Sequence, residues 1–201
     1  EYYEKLTAED LFAELRGPNK LIALVGPSAV GKTFWSDELL KVMLNLKRIR
    51  NTTTRPMREA KDYLSYSFVF VEEFKQGVDD GRFLEHDEYP IGSGRFYGST
   101  FEEIRRVLHK SSGIFALTPK GARTLWNHRF EFNLFFVLLK PQSEDILKKN
   151  LARPGVRRTE DPSILVQEAK RFVLPIEIDH QVIEITEDEN ANREKVVSTI
   201  E

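Results

Sequence analysis

The chain has 201 residues, and its 30 lysines and arginines nearly balance its 32 aspartates and glutamates, giving a formal charge of -2 at pH 7. This balance argues against a dedicated nucleic-acid-binding protein, which is usually clearly basic. Cysteine is absent, which excludes disulfides, thiolate metal sites and a cysteine nucleophile. No apolar run reaches the length of a membrane span, and no signal peptide is visible, although a start at Glu1 leaves room for a removed upstream segment. We therefore expect one domain over residues 1–201, in the reducing cytoplasm and without a membrane partner.

Short apolar runs alternate with amphipathic stretches along the chain, which is the pattern of a β-α-β protein. The first helix is predicted to begin near Thr7 and to stop before Gly17-Pro18. The predicted strands are, in chain order, 21–25, 66–71, 83–89, 113–117, 132–139 and 182–185. The later predicted helices are, in chain order, 34–46, 72–80, 101–109, 119–126, 143–151, 163–173 and 190–200. Because three of the strands are continuous apolar runs, we expect a parallel sheet covered by helices.

Two segments interrupt this rhythm. Residues 51–61 are polar and basic and predict a loop, which opens an aromatic, turn-rich and antiparallel-looking stretch. We interpret about 51–100 as an inserted lobe, with the core at about 19–50 and 101–201. A second basic stretch, 152–162, predicts a second, smaller insertion.

A glycine-bounded loop follows the first strand. Residues 26–33 read Gly-Pro-Ser-Ala-Val-Gly-Lys-Thr, fit the phosphate-loop pattern GxxxxGK[ST], and lie between a strand and a helix as that pattern requires. Successive backbone N–H groups and the helix start favour an anion there. Lys32 is expected to reach the terminal phosphates of a nucleoside triphosphate, and the Thr33 hydroxyl to bind Mg²⁺. The sequence thus predicts an α/β P-loop fold, a parallel sheet flanked by helices, that binds a nucleoside triphosphate with Mg²⁺. GTPases, ATPases, helicases and small-molecule kinases all use such a loop, so the loop alone does not name the reaction. The expected nucleotide-binding residues are Gly26, Ser28, Ala29, Val30, Gly31, Lys32 and Thr33.

Four further motifs follow downstream. They are Thr52-Thr53-Thr54-Arg55-Pro56-Met57-Arg58, Tyr66-Ser67-Phe68, Phe83-Leu84-Glu85 and Tyr97-Gly98-Ser99-Thr100. With the phosphate loop upstream of them, the sequence resembles the guanylate kinase family from about residue 21 to residue 171. The resemblance implies an enzyme that transfers the γ-phosphate of ATP to GMP or to a related monophosphate.

The resemblance also implies an acceptor site. Four side chains would hold the GMP phosphate: Arg55, Arg58, Tyr66 and Tyr97. Four more would contact the guanine: Asn51, Glu85, Ser99 and Thr100. The carboxylate of Glu85 only accepts hydrogen bonds, so it would select guanine, with its N1–H and 2-amino donors, over adenine. Taken singly, the same residues also fit roles that need no ligand: solvated loop arginines, core tyrosines and a glutamate that faces water.

The resemblance further implies that about 51–100 is the acceptor-binding lobe and that 152–162 is a small lid. Three lid arginines would close over the triphosphate and neutralise charge on the transferred group. The expected catalytic set is Lys32, Arg55, Arg153, Arg157 and Arg158. Neither a covalent intermediate nor a nucleic-acid partner is expected, and nothing in the sequence indicates the oligomeric state.

The sequence departs from the family pattern at several positions. The family's Asp-x-Asp pattern is replaced by Ala116 and Thr118, which removes negative charge expected to support Mg²⁺ and guanine. Asn150 stands where an arginine is expected before the lid, and Glu59 is the nearest candidate for an acid expected after the second loop arginine. Three hypotheses stay open: a GMP kinase, a kinase for another phosphorylated small molecule, and a catalytically weak nucleotide-binding or protein-interaction module. The intact phosphate loop favours activity.

Overall fold

The computed structural model describes residues 17–152, 162–170, 172–174 and 178–200. The predicted first helix and the lid arginines, Arg153, Arg157 and Arg158, lie outside these ranges. The strands are β1 (Lys20–Val25), β2 (Leu46–Arg48), β3 (Asn51–Thr53), β4 (Tyr66–Phe68), β5 (Phe83–Glu88), β6 (Phe96–Thr100), β7 (Ser112–Leu117), β8 (Asn133–Pro141) and β9 (Gln181–Ile185). The helices are α1 (Lys32–Val42), α2 (Val71–Asp79), α3 (Phe101–Leu108), α4 (Pro119–Asn127), α5 (Glu144–Leu151), α6 (Pro162–Lys170) and α7 (Glu189–Ile200), with a 3₁₀ helix at Ala60–Leu64.

A parallel sheet in the order β2-β7-β1-β8-β9 forms the centre of the molecule. The central strand β1 is apolar along most of its length because helices cover both faces of the sheet, and residues 21–25 are at most 1% exposed. Alternate side chains enter opposite layers: Leu21 and Val25 pack with Phe136, whereas Leu24 packs with Leu139. The predicted parallel sheet flanked by helices is therefore confirmed.

A second sheet, in the order β4-β3-β6-β5, is built from residues 51–100. The expectation of an antiparallel sheet is wrong in part, because β3 pairs with β4 in parallel and with β6 antiparallel. The expected loop at 51–61 begins with strand β3, in which Asn51 and Thr53 are 6% and 0% exposed. Their side chains point inward and form hydrogen bonds there. Because these inward side chains are polar, the apolar pattern that predicts a buried strand is missing.

The end of α1 also differs from the prediction. The helix ends at Val42, where the backbone of Met43 becomes extended, and Leu46 begins β2. Leu46 is buried, but it packs as part of the sheet. Apolar spacing alone cannot separate a short buried strand from another helical turn.

Residues of the expected site lie at one edge of the parallel sheet. Residues 26–31 follow the carboxyl end of β1, and Thr118 follows the carboxyl end of β7. In open α/β sheets this edge is where ligands bind. Within the described part of the chain, no helix combines the length and apolarity needed to cross a bilayer.

Candidate active site

The phosphate loop curls around a small space at the start of α1. Ala29 and Gly31 have φ angles of 65° and 102°, which turn the backbone into the left-handed region. Lys32 Nζ donates to the carbonyl oxygens of Gly26, at 2.6 Å, and Pro27, at 2.9 Å. The N–H of Val30 also points to the Pro27 oxygen, at 3.4 Å. Donors therefore converge on the inside of the loop, as an anion site requires.

One cavity of about 680 Å³ joins this loop to the second sheet. Its lining on the loop side includes Gly26, Ser28, Ala29, Val30, Gly31, Lys32 and Thr33. Its lining on the opposite side includes Asn51, Arg55, Arg58, Tyr66, Glu85 and Tyr97. The structure thus brings the two predicted groups of residues to one space. Ala116 and Thr118 line it as well.

Arg55 is held rigidly although it is a loop residue. Both terminal nitrogens of its guanidinium donate to Asp62 Oδ2 at 3.1 Å, and its side chain is 4% exposed. The guanidinium also lies over the Tyr66 ring, 4.9 Å from the centroid. The same Asp62 oxygen accepts the backbone N–H of Arg58 at 2.9 Å. One carboxylate therefore shapes the loop that carries both arginines.

Asp62, and not Glu59, is the acid that pairs with Arg55. Glu59 instead pairs with Lys61 at 3.3 Å. The two acids also cap the 3₁₀ helix reciprocally, Glu59 as the cap and Asp62 three residues later. That three-residue spacing was the available sequence signal, and it lies in a segment predicted as a loop.

Glu85 ends a directional chain of hydrogen bonds. Asn51 Nδ2 donates to Ser99 Oγ at 3.1 Å, and Ser99 Oγ donates to Glu85 Oε1 at 2.5 Å. Ser99 is fully buried, so it stands behind Glu85 and holds its orientation. Thr100 is placed elsewhere, contrary to its predicted contact with a base. Its hydroxyl accepts the N–H of Glu103 and caps α3.

Burial raises the pKa of the Glu85 carboxyl from 4.5 to about 7. The hydrogen bond from Ser99 opposes this shift, the charge of Asp87 adds to it, and Lys120 lowers the pKa slightly. Glu85 is thus a buried acceptor whose charge is costly unless further hydrogen-bond donors reach it.

The second oxygen of Glu85 lies against the start of α4. A Cβ added to Gly121 would come within 2.4 Å of Glu85 Oε2 and 3.4 Å of Thr118 Oγ1. Glycine at 121 is therefore the residue that leaves room for the carboxylate, a role visible only in three dimensions. The same point shows that Glu85 and Thr118 are near neighbours.

Asp87 was missed by sequence reasoning although it lies two residues after Glu85 on β5, and therefore on the same face of the strand. Thr118 Oγ1 donates to Asp87 Oδ2 at 2.9 Å and accepts the N–H of Gly121 at 3.0 Å. Lys120 Nζ lies 3.5 Å from the other oxygen of Asp87. A carboxylate thus reaches the Thr118 position from β5.

The described residues supply little for a metal on their own. Among them no group of three or more His, Cys, Asp or Glu side chains could hold an ion. The hydroxyl of Thr33 lines the cavity beside Lys32, which fits one protein ligand to an ion that arrives on a nucleotide.

The strand, phosphate loop and helix, with a lobe that brings Arg55 and Arg58 to the same cavity, are the arrangement of a P-loop kinase. A model of the family described as guanylate kinase matches residues 18–188. The guanylate kinase of Chlorobium luteolum is 29% identical over 165 residues, covering 81% of this chain and 80% of that protein. The guanylate kinase of Prochlorococcus marinus subsp. pastoris is 30% identical over 148 residues, covering 73% of this chain and 78% of that protein. The chain belongs to the guanylate kinase family, which confirms the resemblance inferred from its motifs.

A solved structure supports the fold. The crystal structure of guanylate kinase from Anaplasma phagocytophilum superposes with a TM-score of 0.62 at 21% identity, covering 90% of this chain and 84% of that one. At that identity the likeness concerns the fold, and it confirms the predicted P-loop α/β architecture.

The contact between Gly121 and Glu85 predicts a steric cost. We expect Gly121→Ala to lower the free energy of unfolding by about 1–3 kcal/mol, because the new methyl group must displace a buried carboxylate. The cost should nearly vanish in a Glu85→Ala background, which urea denaturation of the double-mutant cycle measures. Gly17→Ala is the matched control, since a Cβ there meets no atom within 4 Å. An undiminished cost without Glu85 would contradict the assigned contact.

The raised pKa of Glu85 predicts a pH-dependent stability. The folded state keeps this proton up to about pH 7, whereas the unfolded chain releases it near 4.5. The stabilisation is therefore full below 4.5 and is lost as the pH rises to about 7. At about pH 8 we expect Glu85→Gln to be more stable than the wild type by about 3 kcal/mol, with the gap closing toward about pH 5.

Urea denaturation of both proteins across this pH range measures the gap. Glu72→Gln, at an exposed position on α2, is the control and should track the wild type. A gap between Glu85→Gln and the wild type that is independent of pH would refute the assigned shift.

Proposed function

We propose that this protein is an ATP-dependent GMP kinase that forms ADP and GDP. The observation that carries the proposal is the single cavity with a phosphate loop on one side and a pair of arginines with a buried carboxylate on the other. Two anions that must react need two separate binding sites that face each other, and family membership supports the same reaction.

The donor nucleotide would bind at the phosphate loop. Backbone N–H groups of residues 28–31 would contact its phosphates, and Lys32 would exchange the carbonyls of Gly26 and Pro27 for phosphate oxygens. Mg²⁺, carried by the nucleotide, would supply charge neutralisation, and the Thr33 hydroxyl would be its protein ligand.

The acceptor phosphate would bind at the arginine loop. Arg55, already fixed by Asp62, would present its remaining N–H donors, and Arg58 would add a second guanidinium. Tyr66 and Tyr97, which line the same side of the cavity, would add hydroxyl donors.

An oxygen of this phosphate would attack the γ-phosphorus of ATP, and the bond to the leaving ADP oxygen would break. Catalysis would rest on alignment and charge neutralisation, to which the lid arginines Arg153, Arg157 and Arg158 would contribute.

The base would be recognised by two acceptors, Glu85 and Thr118, and by one donor, Asn51. Glu85 would accept the guanine N1–H and one hydrogen of the 2-amino group, and Asn51 would keep an amide hydrogen for the base oxygen. The 2-amino group has a second hydrogen, and Thr118 can accept it because its own proton is committed to Asp87. Ser99 would act indirectly, by orienting Glu85.

A panel of nucleoside monophosphates tests the proposed function. With ATP and Mg²⁺, we expect coupled ADP release with GMP, weaker release with IMP, and little with AMP, CMP or UMP. Lys32→Ala should abolish transfer while leaving GMP binding intact, because Lys32 serves the donor side. Turnover with AMP and not GMP would remove the guanine assignment, and nucleotide binding without any turnover would favour a noncatalytic role.

The role of Thr118 predicts a change in specificity. We expect Thr118→Val to raise the KM for GMP by about 5–10-fold and to leave the KM for IMP nearly unchanged, because IMP lacks the 2-amino group. The comparison within one variant cancels the loss of the α4 cap, and Thr124→Val, at a half-buried position on the same helix, is the control. An equal rise for GMP and IMP would contradict this contact.

A further inference from the structure

Ala29 adopts a backbone conformation that an alanine rarely adopts. Among the non-glycine residues that the structure describes, Ala29 alone has a positive φ, of 65°. Ala29 lies in the middle of the phosphate loop. A Cβ crowds the neighbouring carbonyl in this region, so the conformation persists only where other contacts hold it.

Ala29 packs against the apolar cluster around Trp35 and Leu139, and the helices α5 and α6 add two further contacts. Asn150 Nδ2, in the last turn of α5, donates to the Ala29 carbonyl oxygen at 2.8 Å. The Ala29 side chain packs against an apolar cluster formed by Leu151 of α5 with Leu165 and Val166 of α6. Asn150 also lines the cavity.

The hydrogen bond from Asn150 determines where the next N–H points. The peptide between Ala29 and Val30 is planar, so its N–H and carbonyl face opposite directions. With the carbonyl directed to Asn150, the Val30 N–H is directed to the Pro27 oxygen of the loop, which the Lys32 ammonium also contacts. Both donors thus point to one acceptor, and a phosphate oxygen bound in the loop would replace the Pro27 oxygen as their partner.

We propose that Asn150 is a positioning residue for the donor phosphates: by holding the Ala29 carbonyl, it keeps the Val30 N–H turned into the phosphate loop. The inference rests on the proposed ATP site and adds to it a residue from another element. Its consequence is specific to the donor nucleotide, because Arg55 is held by Asp62 and Glu85 by Ser99, both within the lobe at 51–100.

Equilibrium binding by titration calorimetry tests the role without relying on catalysis. We expect Asn150→Ala to weaken ATP binding by about 10-fold and to leave GMP binding within about 2-fold of the wild type. In steady-state assays the KM for ATP should rise more than the KM for GMP. Asn19→Ala is the matched control, since Asn19 also donates an amide hydrogen to a carbonyl, that of Leu108, at 2.8 Å.

The double variant Ala29→Gly/Asn150→Ala separates positioning from a purely structural latch. Glycine adopts a positive φ without strain, so the loop needs less support and the loss caused by Asn150→Ala should fall below about 3-fold in that background. A simple loss of stability would be the same in both backgrounds. If Asn150→Ala does not fold, Asn150→Asp replaces it, because the carboxylate has the same shape but cannot donate.

Two results would overturn the proposal: ATP binding by Asn150→Ala that matches Asn19→Ala, or an equal loss with alanine and with glycine at position 29. Wild-type protein that binds ATP but does not phosphorylate GMP would refute the proposed function alone. The binding comparison would then still decide whether Asn150 positions the loop.

Discussion

A buried carboxylate, Glu85, sets the physical constraint around which the acceptor side of the cavity is built. It accepts a hydrogen bond from the neutral hydroxyl of Ser99, which offsets only part of the cost of desolvating the charge, and burial keeps its pKa near 7. The neighbouring residues are what this constraint requires: Asn51 orients Ser99, and Gly121 leaves space for the second oxygen. A ligand that brings N–H donors would relieve the cost, so the instability of the site is also its source of selectivity.

Arg55 solves the opposite problem on the same side of the cavity. Its guanidinium is equally buried, but Asp62 neutralises it and fixes the fork before any anion arrives. The bond costs some donor capacity and saves the entropy of ordering a long side chain at binding. Because the same Asp62 oxygen also holds the backbone of Arg58, the loop is pre-organised as one unit. The Glu85 side of the cavity therefore carries an electrostatic cost, whereas the loop with Arg55 and Arg58 is already ordered by Asp62.

Those features of fold and site that depend on local spacing could be predicted from the sequence. The phosphate loop is contiguous, and strand β1 is a continuous apolar run, so both are readable within a few residues. Strand β3 was missed because its inward residues, Asn51 and Thr53, are polar. Asp62, Asp87 and Gly121 matter through partners that lie elsewhere in the sequence or on another element, and no residue pattern announces such contacts.

The two departures from the Asp-x-Asp pattern have different consequences in the structure. At position 118 the negative charge is moved rather than lost, because Asp87 on β5 reaches the Thr118 hydroxyl and fixes it as an acceptor. At position 116 an alanine lines the cavity, and a methyl group cannot bind or orient a hydrated ion. In the proposed mechanism, charge neutralisation on the donor side would then depend more on Lys32 and on correctly oriented backbone N–H groups of the phosphate loop. A chain that lacks this carboxylate thus has greater need of a well-held phosphate loop, which is where Asn150 and Ala29 meet.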